Sequence, residues 1–510
     1  MCGLAGVWGT LDKEVVRQMM NTLIHRGPDD AGTFTARKIG VLGHRRLSIM
    51  DLDGGRQPIE RMTGEGAIIA NGEIYNDQQL RVELSNKHDF RTRSDSESAL
   101  HMYREAHVDA AEKLDGMFAF AISDGEDLYL ARDPLGIKPL YYGRHQGGLA
   151  FASEQKALVG RADDVREFPP GTWFHSRHGF HRYFDVPNDS PYIDSQAAHV
   201  RKVRTAVEQA VVKRLMSDVP VGAFLSGGLD SSIIVAIARR HVDELHTFSV
   251  GIDGSRDILA ARLVARHLDT FHHEYILTPG DVLEALPEII YSLESFDQDL
   301  VRSAIPCHFT SKLASQFVKV ILTGEGADEL FAGYEYYRAI SCPDELHREL
   351  QRSIRSLHNI NLQRVDRLTM AHSVEGRVPF LDLNLIRVAQ SIPTELKLFR
   401  NDDGRIIEKW VLRKAFEGLL PSEILWRSKE QFDEGSGTTS LLADLVGCWM
   451  TNREVSQYAE IHRESRLRSH EECVYHKLLV KAFPGSSCVL NNVARWAERP
   501  PVSGAPGTSR

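Results

Sequence analysis

The sequence predicts a layered α+β domain followed by an α/β domain with a parallel sheet. The first third of the chain contains short β-like runs between turn signals, with helical patterns kept apart from them. From about residue 196 onward, strand and helix patterns alternate, which is typical of βαβ units. The length of 510 residues also exceeds the size at which a single hydrophobic core stops growing.

In the first domain, each predicted strand ends at turn residues (Asn-Gly, Ser-Asp-Gly or Arg-Asp-Pro). The predicted strands are 67–70, 117–122 and 128–131, and the predicted helices are 14–24 and 96–106. Closely spaced strands with turn signals between them predict antiparallel sheets, with helices packed on those sheets.

In the second domain, the pattern changes after a polar, proline-bearing stretch that predicts a linker around residues 186–196. The predicted elements are helix 200–215, strand 221–225, helix 231–240, strand 245–250, helix 258–267 and strand 318–322, with mostly helical structure over 345–483. We therefore place the domains at residues 1–185 and 196–497. The proline- and glycine-rich segment 498–510 is predicted to be a disordered tail.

Composition narrows the class of protein. Apolar residues make up 42% and charged residues 26%, as in ordinary globular proteins, and the net charge of −9 argues against a nucleic-acid partner. No apolar run approaches the roughly 20 residues that span a bilayer, and no signal segment precedes Cys2, so we expect no membrane partner. The six cysteines contain no CxxC pair, which indicates free thiols in a reducing, cytoplasmic compartment.

Cys2 is the first candidate catalytic residue. Removal of Met1 would leave a thiol and a free α-amine on this one residue. An α-amine titrates far below a lysine amine, so at neutral pH it can act as the base for the thiol. A thiol beside its own base is a nucleophile for an amide carbon. An inert thiol at an arbitrary second residue is the alternative, and the motifs elsewhere in the chain decide against it.

A glycine-rich loop at residues 224–232 lies between a predicted strand and a predicted helix. Its two glycines allow a tight turn close to an anion, and the N-terminus of the following helix presents free N–H groups. Ser226 and Ser231 add hydroxyl donors, whereas Asp230 requires a Mg²⁺ ion between itself and a phosphate. The loop is not a Walker A loop. An ordinary turn between strand and helix is the alternative.

A second glycine-rich and acidic stretch, residues 323–334, follows the predicted strand 318–322. Parallel sheets hold ligands at the carboxyl ends of their strands, so both stretches belong at one edge of the sheet. Asp328 could share Mg²⁺ with Asp230, and Glu325 could orient or deprotonate a reactant. Taken alone, the stretch could equally be an acidic helix N-terminus.

The motifs together resemble the glutamine-dependent asparagine synthetase family, from Cys2 to about Trp496. In the first domain they are Met1-Cys2-Gly3, His25-Arg26-Gly27-Pro28-Asp29, RLSIMD at 46–51, NGEIYN at 71–76, Asp95 before a helix, and Arg132-Asp133-Pro134-Leu135-Gly136. In the second domain they are the 224–232 loop (which resembles the PP-loop of ATP pyrophosphatases), Ser249-Val250-Gly251, residues 323–334, EGRVPFLD at 375–382 and WRSKEQF at 426–432.

The resemblance implies an αββα Ntn-hydrolase sandwich, followed by a doubly wound parallel-sheet PP-loop domain with a helical C-terminal part. It also implies that Cys2 attacks the side-chain amide of glutamine and forms a glutamyl thioester. Asn71 and Gly72 would form the oxyanion hole, whose donors act on the charge that develops in the transition state. The implied glutamine-binding residues are Arg46, Leu47, Ser48, Ile49, Met50, Asn71, Gly72, Glu73 and Asp95.

In the second domain the resemblance implies an ATP-dependent adenylation site. The implied ATP-binding residues are Leu225, Ser226, Gly227, Gly228, Asp230, Ser231, Val250, Thr323, Gly324 and Lys429. Asp230 and Asp328 would hold Mg²⁺. Glu325 and Lys429 would be catalytic, Glu325 in forming the acyl-adenylate and Lys429 as a point charge on the phosphates. A solvated helix surface is the alternative for Lys429.

The implied reaction is hydrolysis of glutamine, adenylation of aspartate with release of pyrophosphate, and amidation of the adenylate by ammonia to give asparagine and AMP. Thr323 and Ala332 depart from the usual serine and glycine, and residues 295–306 match loosely, so a specialised amidotransferase with another carboxylate acceptor is the alternative. β-Lactam synthetases, nucleic-acid-modifying PP-loop enzymes and an idle homologue fit less well. The oligomeric state is left open, with a homodimer as the candidate.

Overall fold

A computed structural model describes residues 2–37, 39–61, 66–188, 191–192, 194–428 and 432–496. The predicted tail lies outside these residues, and so does Lys429. Within the described part of the chain, none of the helices combines the length and the apolar character that crossing a bilayer would require.

The β-strands form two antiparallel six-stranded sheets, one parallel five-stranded sheet and a two-stranded ribbon. The strands are β1 (Gly3–Trp8), β2 (Asp30–Ala36), β3 (Gly40–Arg46), β4 (Ile59–Glu60), β5 (Ala67–Ile74), β6 (Gly116–Ser123), β7 (Leu128–Arg132), β8 (Tyr141–His145), β9 (Gly148–Ala152), β10 (Asp163–Glu167), β11 (Thr172–His175), β12 (Gly179–Arg182), β13 (Val221–Phe224), β14 (His246–Gly251), β15 (Phe271–Ile276), β16 (Val320–Leu322), β17 (Glu375–Arg377), β18 (Leu398–Arg400) and β19 (Ile406–Glu408).

Helices cover the sheets and fill most of the C-terminal third. They are α1 (Lys13–Thr22), α2 (Asp77–Leu84), α3 (Ser96–Ala106), α4 (Gln196–Lys213), α5 (Leu229–Ala238), α6 (Arg256–Leu268), α7 (Pro279–Leu293), α8 (Gln298–Ala314), α9 (Ala327–Phe331), α10 (Pro343–Arg355), α11 (Asn361–Met370), α12 (Leu383–Gln390), α13 (Trp410–Ala415), α14 (Ser422–Leu425), α15 (Phe432–Gly435), α16 (Thr438–Leu445), α17 (Asn452–Ile461), α18 (His470–Ala482) and α19 (Ser487–Asn491).

The first domain is the predicted αββα sandwich. Its sheets have the strand orders β10-β8-β9-β1-β3-β2 and β12-β11-β7-β6-β5-β4. Leu4 and Leu42 of the first sheet pack against Ile69 and Leu130 of the second, which forms the apolar layer between them. Helix α1 covers the outer face of the first sheet, and α3 covers the outer face of the second. Burial on both faces explains why these strands are nearly continuous apolar runs.

The second domain is the predicted doubly wound sheet, with all strands parallel in the order β15-β14-β13-β16-β17. Residues of α4 and α5 cover one face, and α8 packs on the other through Ala314. The sequence analysis missed β15 and β17. Strand β17 is Glu-Gly-Arg, whose charged side chains are buried and paired with each other, so its composition carries no strand signal.

Candidate active sites

The first candidate site is a cavity between the N-terminus of β1 and the carboxyl end of β5. Its walls come from four stretches that are far apart in sequence. They are lined by Cys2, Arg46, Leu47, Ile49, Met50, Gly55, Gln57, Gly72, Glu73, Ser94, Asp95 and Ser96. The structure therefore brings together most of the predicted glutamine-binding residues. Ser48 and Asn71 are not among the lining residues. The backbone N–H of Ser48 donates instead to Asp29 Oδ2 at 2.8 Å, and Asn71 is fully buried next to the cavity wall formed by Gly72.

Cys2 is buried at the base of this cavity, and its backbone nitrogen donates to Asn71 Oδ1 at 2.9 Å. The amide nitrogen Nδ2 of the same side chain is buried, and within the described residues it has no hydrogen-bond partner. A buried donor without a partner beside a thiol fits an oxyanion-hole role. Burial raises the pKa of the Cys2 thiol, so attack requires a base close to the sulfur.

Gly72 can only be glycine at its position. Its φ of +139° is unfavourable for residues with a side chain, and an added Cβ would lie 1.9 Å from the carbonyl oxygen of Met117 on the neighbouring strand. Gly72 therefore lets β5 approach β6 more closely than a residue with a side chain would permit. Asn71, Gly72 and Glu73 lie within β5 and pair with β6, so the predicted end of this strand at the Asn-Gly pair is wrong.

Arg46 is fixed by its own loop. Its guanidinium donates to the carbonyl oxygens of Met50 (3.1 Å), Asp51 (2.7 Å) and Leu52 (3.2 Å). Three fixed acceptors hold the cation at the rim of the cavity, where a planar, bidentate donor can receive the carboxylate of an amino acid.

Two carboxyl groups line the same cavity as this cation. Burial raises the pKa of Asp95 to about 7, although its Oδ2 accepts from the Ile74 N–H at 2.5 Å. Burial, and then the neighbouring Asp95, raise the pKa of Glu73 well above its usual value. Both groups would gain from an ammonium group placed between them, because an opposite charge favours the ionised form.

The second candidate site lies at the carboxyl ends of β13, β14 and β16, where the strand order reverses direction. Ligands of doubly wound sheets bind at this kind of switch point. The cavity there is lined by Phe224, Leu225, Ser226, Gly228, Leu229, Asp230, Ser231, Phe248, Ser249, Val250, Asp257, Thr310, Thr323, Gly324, Glu325, Asp328, Lys409, Arg413, Arg427 and Ser428. Of the predicted ATP-binding residues within the described ranges, all but Gly227 line it.

The glycine-rich loop forms a short, internally bonded anion cradle. Gly228 precedes α5, and Ser226 Oγ lies 3.1 Å from Ser231 Oγ and accepts from the Gly228 N–H at 3.3 Å. Gly227 has a φ of +71°, and an added Cβ would lie 2.4 Å from the nitrogen of Ala261 on α6. Gly227 thus serves the turn and the packing against α6 and does not line the cavity.

Lys409 is a site residue that the sequence analysis missed. Its side chain is 1% exposed, and its ammonium lies 2.6 Å from Asp230 Oδ2 and 2.7 Å from Asp328 Oδ1. It reaches this point past Gly333, where an added Cβ would lie 2.1 Å from Lys409 Cε. The signal that could have revealed it is a lysine that directly precedes the apolar start of a helix, which is weak by itself.

Glu325 forms a salt bridge with Arg364 of α11. Glu325 also lines the second cavity, so the ion pair orients its carboxylate at the edge of that cavity. Thr323 contributes a buried hydroxyl that, within the described residues, has no hydrogen-bond partner and is available to a ligand.

Ala332 does not line the cavity. It has a φ of +59° and is fully buried in an apolar cluster with Tyr337 and Leu350. The departure from the family's usual glycine at this position therefore adds no methyl group to the walls of the second cavity. Its left-handed backbone explains why glycine suits this position.

Buried charges connect the first site to the second domain. Arg26 is fully buried, and its Nε donates to the Cys2 carbonyl oxygen at 3.0 Å. Its Nη1 donates to Glu154 Oε1 at 2.6 Å and to Asp366 Oδ2 at 2.7 Å, the latter on α11. The residue that holds the Cys2 backbone is thus anchored from both domains.

Comparisons with known proteins agree with this arrangement. A glutamine amidotransferase domain model matches residues 1–206, and an asparagine synthase model matches residues 202–345 and 340–486. The fold and the two sites define a class II glutamine amidotransferase joined to a PP-loop synthetase domain.

Asparagine synthetase [glutamine-hydrolyzing] 2 of Arabidopsis thaliana is 39% identical over 513 residues, covering 96% of this chain and 88% of the plant protein. The probable asparagine synthetase of Dictyostelium discoideum is 36% identical over 536 residues, covering 97% and 96%. The chain belongs to the glutamine-hydrolysing asparagine synthetase family.

Proposed function

We propose that this enzyme makes asparagine from aspartate, with glutamine as the nitrogen donor and ATP as the activating substrate. The observation that carries the proposal is the presence, in one chain, of a cysteine cavity fitted to an amino acid and a phosphate-loop cavity at the switch point of a parallel sheet. The family relationship covers both cavities.

In the first cavity, Cys2 attacks the side-chain amide of glutamine, and its own α-amine, freed by removal of Met1, accepts the thiol proton. Asn71 Nδ2 and the Gly72 backbone receive the oxyanion, and loss of one such donor commonly costs about 3 kcal/mol of transition-state stabilisation. Arg46 holds the α-carboxylate of the substrate, and Asp95 with Glu73 holds its α-amine. Ammonia leaves, and water hydrolyses the thioester to glutamate.

In the second cavity, the adenosine and its ribose contact Leu225, Val250, Thr323 and Gly324, all of which line the cavity. Ser226, Gly228 and Ser231, with the N-terminus of α5, hold the phosphates. The carboxylate of aspartate attacks the α-phosphorus, pyrophosphate leaves, and ammonia displaces AMP from the acyl-adenylate. Glu325 supports the formation of the adenylate and its attack by ammonia. The implied role of Lys429 on the phosphates lies outside the described residues.

The residues of this cavity fit a Mg²⁺ ion. Mg²⁺ in nucleotide sites takes one or two carboxylates together with phosphate oxygens and water, and Asp230 and Asp328 converge on one point. Bound there, the ion would neutralise charge on the phosphates. Lys409 already places one positive charge between the carboxylates.

Aspartate is the proposed acceptor. Thr323 keeps the hydroxyl of the usual serine and adds only a methyl group to the cavity wall, and Ala332 lies away from the cavity, so neither departure removes a polar group from the walls described above. The decisive test is ATP–pyrophosphate exchange with Mg²⁺ across a panel of carboxylic acids, followed by detection of AMP and the amide product. We expect L-aspartate to support exchange and asparagine formation better than glutamate or aliphatic acids. AMP release with another acid and none with aspartate would refute the assignment.

The proposal also covers the compartment, the partners, the oligomeric state and the domain limits of the enzyme. We propose a cytoplasmic enzyme, on the basis of its free cysteines, acting on small molecules without a nucleic-acid or membrane partner, as a candidate homodimer. The domain limits of 1–185 and 196–497 are part of the same proposal, and limited proteolysis in the 186–196 linker would test them.

A further inference from the structure

Arg377 belongs to the second domain but lies beside the first cavity. It ends β17, and its side chain is fully buried. Its Nε donates to Glu375 Oε1 at 2.6 Å, and its Nη1 donates to the carbonyl oxygens of Arg214 (2.7 Å) and Met216 (2.5 Å). These bonds, all to residues of the second domain, leave the guanidinium no rotational freedom.

The remaining nitrogen of this group faces the glutamine cavity. Arg377 Nη2 lies 3.4 Å from Glu73 Oε1 and, among the described residues, makes no hydrogen bond. Glu73 lines the cavity and is 4% exposed, and its second oxygen, Oε2, likewise has no hydrogen-bond partner in the described part of the chain. A rigid buried cation is therefore aimed at a buried carboxyl group whose other oxygen is free to bind a ligand.

Arg377 favours the ionised form of Glu73, which its surroundings otherwise oppose. Burial and the nearby carboxyl groups of Asp95 and Glu375 oppose ionisation of Glu73, whereas Arg377 favours it. Only an ionised, correctly turned carboxylate can bind the ammonium group of an amino acid. Arg377 is the larger of the two favourable charges on Glu73, and the N-terminal amine of the first domain adds a smaller one.

We propose that Arg377 is a positioning residue of the glutamine site, which turns the Glu73 carboxylate toward the α-amine of glutamine, so that the second domain completes the first cavity. This inference rests on the proposed glutaminase function of that cavity. The backbone of Arg377 is tied to the other site as well, since its carbonyl oxygen accepts from the N–H of Thr323 at 2.9 Å.

The test measures glutamine hydrolysis to glutamate without ATP or aspartate, so that the synthetase reaction does not enter. Arg377→Met should raise the KM for glutamine about 10-fold, the lower range for losing a charge-assisted hydrogen bond, because Glu73 would no longer be held for its bond to the α-amine. The kcat should stay within about 2-fold, because the lost interaction binds substrate and transition state alike. An unchanged KM in folded Arg377→Met would overturn the inference.

A double-variant cycle separates positioning from a general structural defect. If Arg377 acts through Glu73, then Arg377→Met should add less than about 2-fold to the KM of Glu73→Gln. If the KM of the double variant instead rises by the product of the two single-variant factors, the inference is overturned. Lys319→Met is the matched control, because Lys319 bridges the domains to Asp29 at 2.7 Å on the exposed surface, and it should leave the KM unchanged. A rise in KM in this control equal to that of Arg377→Met would also count against the inference.

If thermal melting shows that Arg377→Met does not fold, the KM for glutamine is measured on Arg377→Lys instead. A single ammonium cannot both keep the bonds to Glu375 and the two carbonyl groups and reach Glu73, so its KM should rise by an intermediate factor. A wild-type KM in Arg377→Lys would then overturn the inference. A wild-type enzyme without glutaminase activity would instead refute the proposed function, which keeps the two failures distinct.

Discussion

The ammonium of Lys409 lies 2.7 Å from Asp328 and equally close to Asp230, so a lysine links the two carboxylates predicted to hold a metal. Lys409 itself has a left-handed φ of +55° at the start of α13. Its neighbour Glu408 is held by Arg413 at 2.7 Å and by Arg338 at 2.8 Å. The strained backbone is thus maintained by ion pairs on both sides.

Replacing Lys409 should show how much free energy of unfolding is lost when the two carboxylates no longer have a cation between them. Lys409→Met should lower the free energy of unfolding by about 3 kcal/mol, since removal of one partner leaves buried charge uncompensated. Mg²⁺ should restore more stability to this variant than to the wild type. Urea unfolding with and without Mg²⁺ measures both effects. Lys414→Met in the adjoining helix α13, which breaks an exposed pair with Glu417, should cost less than about 1 kcal/mol. Equal losses in the two variants would contradict the interpretation.

Cys2→Ala should abolish glutamine-dependent asparagine synthesis and leave ammonia-dependent synthesis largely intact, because the nucleophile and the adenylation residues line separate cavities. Product formation is measured with each nitrogen donor in turn. Cys342→Ala, which removes an exposed thiol, should keep both activities. Loss of both activities in folded Cys2→Ala would refute the division into two sites.

The KM for glutamine should depend on pH through Asp95. Burial raises the pKa of this carboxyl group to about 7, and the protonated form carries no charge to bind the α-amine. The KM should therefore rise as the pH falls through about 7, approaching 10-fold per pH unit for a single proton. Titration of the Cys2 α-amine should change kcat, whereas titration of Asp95 should change KM. Initial rates must therefore be measured over a range of glutamine concentrations, so that kcat and KM are obtained separately at each pH. Asp95→Asn should bind glutamine weakly and lose this dependence. A KM that stays constant in the wild type between about pH 6 and pH 8 would exclude the role.

Ala332→Gly should change neither acceptor preference nor stability greatly. Glycine relieves a left-handed backbone strain of about 1 kcal/mol and loses one buried methyl group worth about 0.8 kcal/mol, so the terms nearly cancel. Ala389→Gly, at a buried position in the ordinary helix α12, should instead cost about 1.5 kcal/mol. Urea unfolding of both variants measures the change in stability, and ATP–pyrophosphate exchange across the panel of carboxylic acids measures acceptor preference. A new acceptor preference in Ala332→Gly would place this residue in the acceptor site after all.

The sequence by itself determined the class of each domain and most of the two residue sets. Helix α3 spans Ser96–Ala106, as its periodicity predicts, and the strands of the first sandwich carry apolar runs that depend on local physics. Strand β5, however, continues through the Asn-Gly pair that was predicted to end it. Cys2, Asn71-Gly72 and the 224–232 loop are compact motifs, because the chemistry of each needs residues close together in the chain.

Only the tertiary structure decided which distant charges meet. Lys409 reaches Asp230 from 179 residues away, and Arg377 reaches Glu73 across the domain boundary. Strand β17 escaped prediction because its short, charged sequence resembles a surface turn until a partner buries it. Hydrophobic periodicity records which face of an element is buried, but a buried ion pair is set by the mutual position of two folded elements, and no local pattern encodes that position.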